Sequence, residues 1–223
     1  YQAYNERDET AFVINQIKEL RKDYALSDFA VLYRSSVLLR NFELALIEEK
    51  IPYRIYGGIS YLRRREIKDV IAYLRFIINP EDLFSFKRII NTPSRGIGLQ
   101  SFAKIEEYVK INKSSLSDAI DNSHEYLQPS RSVALLSFIE MIRKLRDILE
   151  ETNLVDFFDI LMQETNYVKY LEDEGDSEDR IENLTEFKSI LLKLEDDGQI
   201  ASRADKLQSA FDDAILSEEN QDA

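Results

Sequence analysis

The spacing of apolar residues changes character along the first sixty positions of the chain. Apolar residues three and four positions apart predict amphipathic helices over residues 12–20 and 38–47. Short continuous apolar runs at 29–33 and 53–56 are typical of strands, and the first run fits a strand buried on both faces. Strand, helix and strand in this order predict right-handed βαβ units in a parallel sheet. Since at most three strands can be found, we expect an α/β lobe with an incomplete sheet.

Beyond residue 58 the pattern is helical, with Ile67, Leu74 and Ile77 on one stripe. Further helices are predicted over about 81–90, from about 102, over about 130–150 and 153–164, and from about 177. A turn-like interruption at 92–98 lies between two of these helices. We therefore predict two domains: the α/β lobe over 1–88, and an all-α domain over 89–223.

Charge is distributed unevenly along the chain. The formal net charge of −13 argues against a nucleic-acid partner, because phosphate binding normally leaves a basic footprint. Residues 1–110, however, hold 18 Lys and Arg against 15 Asp and Glu, whereas residues 111–223 hold 11 against 27. Basic residues cluster at 63–68 and again at 87–95. Such clusters are typical of solvated helix faces as well as of anion-binding surfaces.

The composition excludes most familiar catalytic sites. The chain has no Cys, which removes disulfides, thiolate nucleophiles and cysteine metal sites. A single histidine, His124, is too few for a histidine metal site and makes a catalytic triad a poor fit. No apolar run approaches the roughly 20 residues that span a bilayer, and no signal-peptide pattern opens the chain. We expect a cytoplasmic protein with no membrane partner, and no catalytic, cofactor-binding or metal-binding residues in this sequence.

The segment 57–69 places two glycines before a run of basic residues. The glycines let the backbone leave a strand sharply, and Arg63, Arg64 and Arg65 follow at the start of a helix. Each cation there costs about 0.3–1 kcal/mol, because the helix dipole is already positive, and an anionic partner would turn this cost into attraction. The alternative is structural: Arg65 pairs with Asp69 and with neighbouring acids.

The segment 92–98 contains Gly-Ile-Gly between two predicted helices. In such a hairpin the middle residue, Ile97, packs inward while backbone amides face outward, where they can hold a phosphate without reading a base. Arg95 and the first turn of the next helix would add to this site. The alternative is an ordinary turn, since a lone Gly-x-Gly is common; the helix-hairpin-helix context favours sequence-independent binding of duplex DNA.

Four stretches resemble, in their order and spacing, the UvrD/PcrA/Rep group of superfamily 1A DNA helicases. They are residues 29–34, 53–69, 91–98 and 180–184. The resemblance implies the first part of subdomain 2A, an incomplete RecA-like parallel-sheet lobe, over 1–88. It implies helical subdomain 2B, with a helix-hairpin-helix, over 89–223. Residues 180–187 also keep a core-facing apolar stripe, which favours a packing helix there.

The resemblance also implies DNA-binding roles for two segments. Segment 57–69 matches the family motif along the single-stranded DNA track, with Ser60 where some members have a basic residue. Segment 92–98 matches the hairpin that grips duplex DNA ahead of the junction. The DNA-binding residues expected on this basis are Tyr61, Arg63, Arg64, Arg65, Lys68, Thr92, Ser94, Arg95, Gly96, Ile97 and Gly98.

Other motifs of that helicase group are missing from the sequence. It contains no Gly-x-x-x-x-Gly-Lys-Ser/Thr phosphate loop and no acidic magnesium motif. The resemblance therefore implies that ATP and Mg²⁺ act in a parent protein, and that this chain alone does not hydrolyse ATP. The start at Tyr1 rather than Met leads us to expect a piece of a longer polypeptide.

We expect part of an ATP-dependent 3′–5′ DNA helicase and translocase of repair or replication. Its contribution would be duplex DNA binding, part of the single-strand track and regulation of unwinding. The expected partners are DNA at a duplex–single-strand junction, repair proteins, and a second copy through exposed sheet edges. Two alternatives stay open: a non-enzymatic protein-interaction module that uses the acidic surface of 111–223, and part of an AddA/RecB-like helicase–nuclease subunit.

Overall fold

The computed structural model describes residues 1–33, 36–55, 61–196, 204–205 and 207, apart from the side chains of 36–38, 193 and 196. Of the described residues, 74% are helical. They divide into two compact units, one formed from Tyr1–Arg64 and the other beginning at Arg65. The division into domains at 1–88 and 89–223 stays a prediction.

The first unit is built on two helices, which confirms both helices predicted there. Helix α1, Glu6–Leu20, begins where the Asn5 side chain accepts a hydrogen bond from the Asp8 N–H at 2.9 Å. Acidic residues in its first turn face the positive end of the helix dipole. Helix α2, Ser36–Glu48, packs against α1. The core of this unit consists of Ile14, Ile17 and Ile51, with Val13, Phe29, Ala45 and Leu46 packed against it.

The predicted parallel sheet is wrong, because the described residues contain no strand. Residues 29–33 are irregular: Phe29 packs on the core of the first unit, and Leu32 is 94% exposed. In the second predicted strand, the Tyr53 hydroxyl instead donates to the buried Glu43 carboxylate at 3.2 Å. An apolar run meets only the compositional requirement of a strand, whereas a strand exists through backbone hydrogen bonds to a neighbouring strand. The incomplete RecA-like lobe is therefore corrected to a helical unit.

The second unit is helical throughout its described part, as predicted. Its helices are α3 Arg65–Ile78, α4 Leu83–Ile89, α5 Leu99–Asn112, α6 Leu116–Asp121, α7 Pro129–Glu151, α8 Leu154–Thr165, α9 Tyr167–Glu174 and α10 Glu178–Asp196. Helix α3 packs against α4, α7 and α10. Four aromatic rings with centroids between 5.1 and 6.5 Å apart join α3, α4, α5 and α7. They belong to Phe76, Phe86, Phe102 and Phe138.

Within the described part of the chain, every helix is too short or too polar to cross a membrane.

Candidate nucleic-acid interface

The segment that joins α4 to α5, residues 90–98, is called the hairpin. Its shape depends on Asn91, whose Oδ1 accepts hydrogen bonds from the N–H groups of Arg95 at 2.8 Å and Ile97 at 3.1 Å. Ile97 is 1% exposed, whereas Gly96 before it is exposed. The middle residue of Gly-Ile-Gly therefore packs inward, as the sequence predicted.

The two glycines of the hairpin serve different purposes. Gly96 has a φ of +72°, in the left-handed region that favours glycine, and a Cβ there would lie 3.0 Å from Nη1 of Arg131. Gly98 has an ordinary extended backbone, and a Cβ there would meet no described atom within 4 Å. The fold therefore requires glycine at 96 but not at 98. The open space beside Gly98 leaves its backbone accessible to another molecule.

Gly98 is also the N-terminal cap of α5. Its carbonyl accepts hydrogen bonds from the N–H groups of Ser101 at 3.0 Å and Phe102 at 3.2 Å. Having no side chain, it cannot cap the amides of the first turn. The N–H groups of Leu99 and Gln100 have no acceptor among the described residues, and both residues are exposed. Like all N–H groups of a first helical turn, these amides point out of the N-terminal end of α5, where the helix dipole is positive.

The guanidinium of Arg95 is directed into the protein. Its Nη1 donates to the carbonyl oxygens of Ile89 at 3.0 Å and Pro93 at 3.1 Å, and its Nη2 donates to the Tyr73 hydroxyl at 2.7 Å. The guanidinium carbon lies 4.6 Å from the centroid of the Phe138 ring. Burial raises the pKa of Tyr73 to about 12, although Arg95 acts in the opposite direction. Arg95 thus holds the hairpin onto α3 and α7.

Two other cations lie beside the hairpin and α5. Arg131, in the first turn of α7, approaches the backbone of Gly96. Lys87, on α4, has its Nζ 5.1 Å from the centroid of the Phe102 ring. Neither side chain has a carboxylate partner among the described residues. Both remain available for an external anion.

At the start of α3, Arg65 is held by acids of the protein. Its Nη1 lies 3.0 Å from Oε2 of Glu174, and its Nε lies 3.9 Å from Oδ2 of Asp69. Asp69 is 3% exposed, accepts a hydrogen bond from the Tyr167 hydroxyl at 2.6 Å and lies 2.7 Å from Nε of Arg88. Burial raises the pKa of Asp69, against the lowering effects of these partners. The structural alternative for Arg65 is therefore the one observed.

In the first unit, the residues that follow the double glycine also make internal contacts. Tyr61 is fully buried, and its N–H donates to Oε2 of the buried Glu43 at 2.8 Å. The guanidinium carbon of Arg64 lies 5.8 Å from the centroid of the Tyr61 ring. Arg63 and Arg64 are half-buried. Residues 57–60, with both glycines and Ser60, lie outside the described residues.

The remaining predicted residues differ in exposure. Lys68 and Thr92 are half-buried, whereas Ser94 is exposed. Residues 180–187 lie on α10, where Asn183 donates to Oε1 of Glu66 at 2.5 Å. This segment packs against α3, as its apolar stripe indicated. No group of His, Asp or Glu side chains suited to a metal ion occurs in the described ranges.

A family model for the UvrD-like helicase C-terminal domain matches residues 1–223. The chain belongs to this family. Membership confirms the resemblance that the motifs indicated.

Individual relatives of this UvrD-like chain carry the name ATP-dependent DNA helicase PcrA. The protein from Leuconostoc citreum is 36% identical over 204 residues, which cover 88% of this chain and 27% of the relative. The proteins from Staphylococcus aureus strain Mu50 and Staphylococcus epidermidis are 36% and 37% identical over 195 residues, covering 85% of this chain. The chain spans 27% of the length of each of these relatives.

Sequence reasoning missed Arg131 in this UvrD-like chain. The clusters of basic residues in the sequence lie at 63–68 and 87–95, whereas Arg131 is an isolated basic residue at the start of a helix. Only the packing of α7 against the hairpin brings it near Gly96. Lys87 lay within a cluster that the sequence did mark, although it was not assigned a DNA contact.

Proposed function

We propose that this chain acts as part of an ATP-dependent DNA helicase and translocase, and that its hairpin binds the sugar-phosphate backbone of duplex DNA. The observation that carries the proposal is the open backbone at Gly98, followed by the outward amides of Leu99 and Gln100. The names of the relatives support the helicase part of the proposal. Their PcrA identity also favours this function over a helicase–nuclease subunit.

The hairpin suits a phosphate better than a base. Backbone amides and nearby cations attract any phosphodiester, and they carry no information about base identity. Ile97 anchors the turn in the core, so the amides beside it are held in place before binding. Ser94 adds an exposed hydroxyl, and Arg95 acts by holding the turn rather than by reaching the phosphate. Binding independent of sequence follows, with a Kd of about 10⁻⁴–10⁻⁶ M that weakens as salt is added.

We propose a separate role in DNA binding for the residues that follow the double glycine. We place Arg63 and Arg64 on the single-strand track, since both are half-buried and keep part of their surface exposed. Tyr61, whose ring is buried, would position Arg64 rather than stack on a base. We further propose that the helicase moves in the 3′–5′ direction and works in DNA repair or replication in the cytoplasm. This chain would regulate its unwinding.

We propose that other parts of the helicase bind ATP and Mg²⁺. The sequence has no phosphate loop, and the described residues form no cluster suited to a metal ion.

The test is fluorescence anisotropy of the 223-residue chain with a duplex–single-strand junction, with Gly98→Ala as the decisive variant. A Cβ at 98 would meet none of the residues that the structure describes, but it would occupy the space where a phosphate approaches. We expect about a tenfold loss of affinity, which corresponds to about 1.4 kcal/mol. Ser137→Ala, on an exposed position of α7, is the control and should bind like the wild type. Unchanged binding by Gly98→Ala would refute the role of the hairpin.

A second candidate function is the docking of a basic protein, such as an accessory repair protein. It is favoured by the 27 acidic against 11 basic residues in 111–223. Titration calorimetry with basic repair proteins, run beside the DNA measurements, separates the two functions. Binding to such a protein without binding to DNA would favour the second candidate.

A further inference from the structure

Arg131 lies beside the hairpin with a guanidinium that the described protein does not use. We infer that Arg131 binds the same duplex phosphate as the amides of Leu99 and Gln100 beside the hairpin, as a second DNA-binding element on α7. The inference rests on the proposed function of the hairpin, because Arg131 gains this role only where duplex DNA is bound.

The position of Arg131 is fixed by its backbone and its neighbours. Its N–H donates to the carbonyl of Gln128 at 2.9 Å, within the first turn of α7. The next residue, Ser132, is buried and shares a hydrogen bond of 2.8 Å with Ser123. The start of α7 is therefore held in place, and the Arg131 side chain extends from a fixed point.

The side chain reaches the hairpin because Gly96 has none. Nη1 of Arg131 lies 3.0 Å from the point where a Cβ of residue 96 would be, closer than ordinary van der Waals contact. The missing side chain at Gly96 thus lets the guanidinium lie against the hairpin backbone, one residue before Ile97. The inferred phosphate site combines this cation with the amides of Leu99 and Gln100, which follow the hairpin at the start of α5.

The other two arginines of α7 each have an acceptor within the protein. Arg143 pairs with Asp121 at 3.3 Å, and Nε of Arg146 donates to the carbonyl of Ile77 at 2.6 Å. Near the hairpin, Arg95 is likewise occupied by protein acceptors. Arg131 has neither a carboxylate nor a carbonyl acceptor among the described residues. A guanidinium in this state suits a phosphate, which it can bind through two parallel N–H groups.

The experiment measures the salt dependence of DNA binding for the 223-residue chain and three variants. Each phosphate contact contributes about 0.9 to the slope of log K against log salt concentration. We expect Arg131→Gln to lower the slope by about 0.9 and the affinity about three- to tenfold at low salt. Arg131→Lys should keep the slope, because the charge remains. Arg143→Gln removes an arginine from the same helix and should change neither quantity.

The outcomes separate this inference from the proposed function. A wild-type slope for Arg131→Gln, together with weakened binding by Gly98→Ala, would overturn the role of Arg131 and leave the hairpin as the DNA site. Unchanged binding by both variants would overturn both statements. A thermal midpoint that falls in Arg131→Gln along with the affinity would assign Arg131 a structural role and also overturn the inference.

Discussion

Arg95 and Tyr73 form a hydrogen bond at the base of the hairpin, with Nη2 of Arg95 donating to the Tyr73 hydroxyl at 2.7 Å. The hydroxyl in turn donates to the carbonyl of Thr92 at 2.5 Å. One turn earlier on α3, Oδ1 of Asp69 lies 2.7 Å from Nε of Arg88, so α3 carries two arginine-binding side chains one turn apart. The hairpin is thereby attached to the core through the hydrogen bonds of Arg95 as well as through the apolar side chain of Ile97.

Replacing Arg95 should destabilise the fold. Arg95→Ala removes three hydrogen bonds from a charged donor and a contact with the Phe138 ring. The carbonyl oxygen of Pro93 then has no donor among the described residues, whereas that of Ile89 keeps the N–H of Thr92. We expect the free energy of unfolding to fall by about 2–3 kcal/mol. Urea denaturation followed by circular dichroism measures this change. Arg143→Ala, which breaks an exposed ion pair, should cost less than about 1 kcal/mol, and equal costs for the two variants would contradict the structural role of Arg95.

The two glycines of the hairpin should respond differently to alanine. Gly96→Ala forces a Cβ into the left-handed region at a cost of about 1–2 kcal/mol. Gly98→Ala should be close to neutral, because a poorer N-cap and a less flexible unfolded chain have opposite effects of about 0.4–1 kcal/mol each. Thermal unfolding of both variants gives the comparison. A Gly98→Ala variant as unstable as Gly96→Ala would show that the space beside Gly98 is not open.

Asp69 should give the stability a specific pH dependence. Burial raises its pKa in the folded state, so the folded protein binds the proton more tightly than the unfolded chain. The contribution of this group is then fully present below its unfolded pKa of about 3.9, and it is lost as the pH rises through the raised folded value. Relative to Asp69→Asn, the wild type should lose stability as the pH rises from about 4.

Urea denaturation of the wild type and Asp69→Asn at a series of pH values measures this difference. The difference in stability between the two proteins cancels the titration of the other carboxylates. One of these is Glu174, whose pKa is lowered by hydrogen bonds from Tyr170 and two arginines. If the wild type instead gained stability over the variant on raising the pH, the ion pair with Arg88 would outweigh burial.

Glu66 and Asn183 should be energetically coupled across the contact between α3 and α10. Both side chains are buried, at 4% and 2% exposure, and they share a hydrogen bond of 2.5 Å. Asn183→Ala removes a donor from a buried carboxylate, so we expect a loss of about 2–3 kcal/mol. A double-mutant cycle with Glu66→Ala should give an interaction energy of about 1–3 kcal/mol. Additive effects of the two substitutions would show that the contact does not stabilise the packing of these helices.

The longer helices could be predicted because their signals are local. The apolar stripe of α3 and the extended periodic pattern of α7 recur within a few turns of the chain, and both helices are observed. The short helices α6 and α9, of six and eight residues, were not predicted, although α4, of seven residues, was predicted over about 81–90. The strand at 29–33 was wrong because an apolar run does not reveal whether a pairing partner exists.

At the candidate site, too, the sequence predicted one feature of the hairpin and only the packing decided another. Gly-Ile-Gly between helices predicted an inward Ile97, since backbone freedom and hydrophobicity are properties of the residues themselves. Which arginine has no acceptor among the described residues depends on partners far away in sequence: Tyr73 and Phe138 contact Arg95, whereas α7 brings Arg131 to Gly96. The family and the positions of the longer helices thus follow from residue order alone. The availability of each arginine follows from packing, because a charge is free or paired only relative to the atoms that folding brings near it.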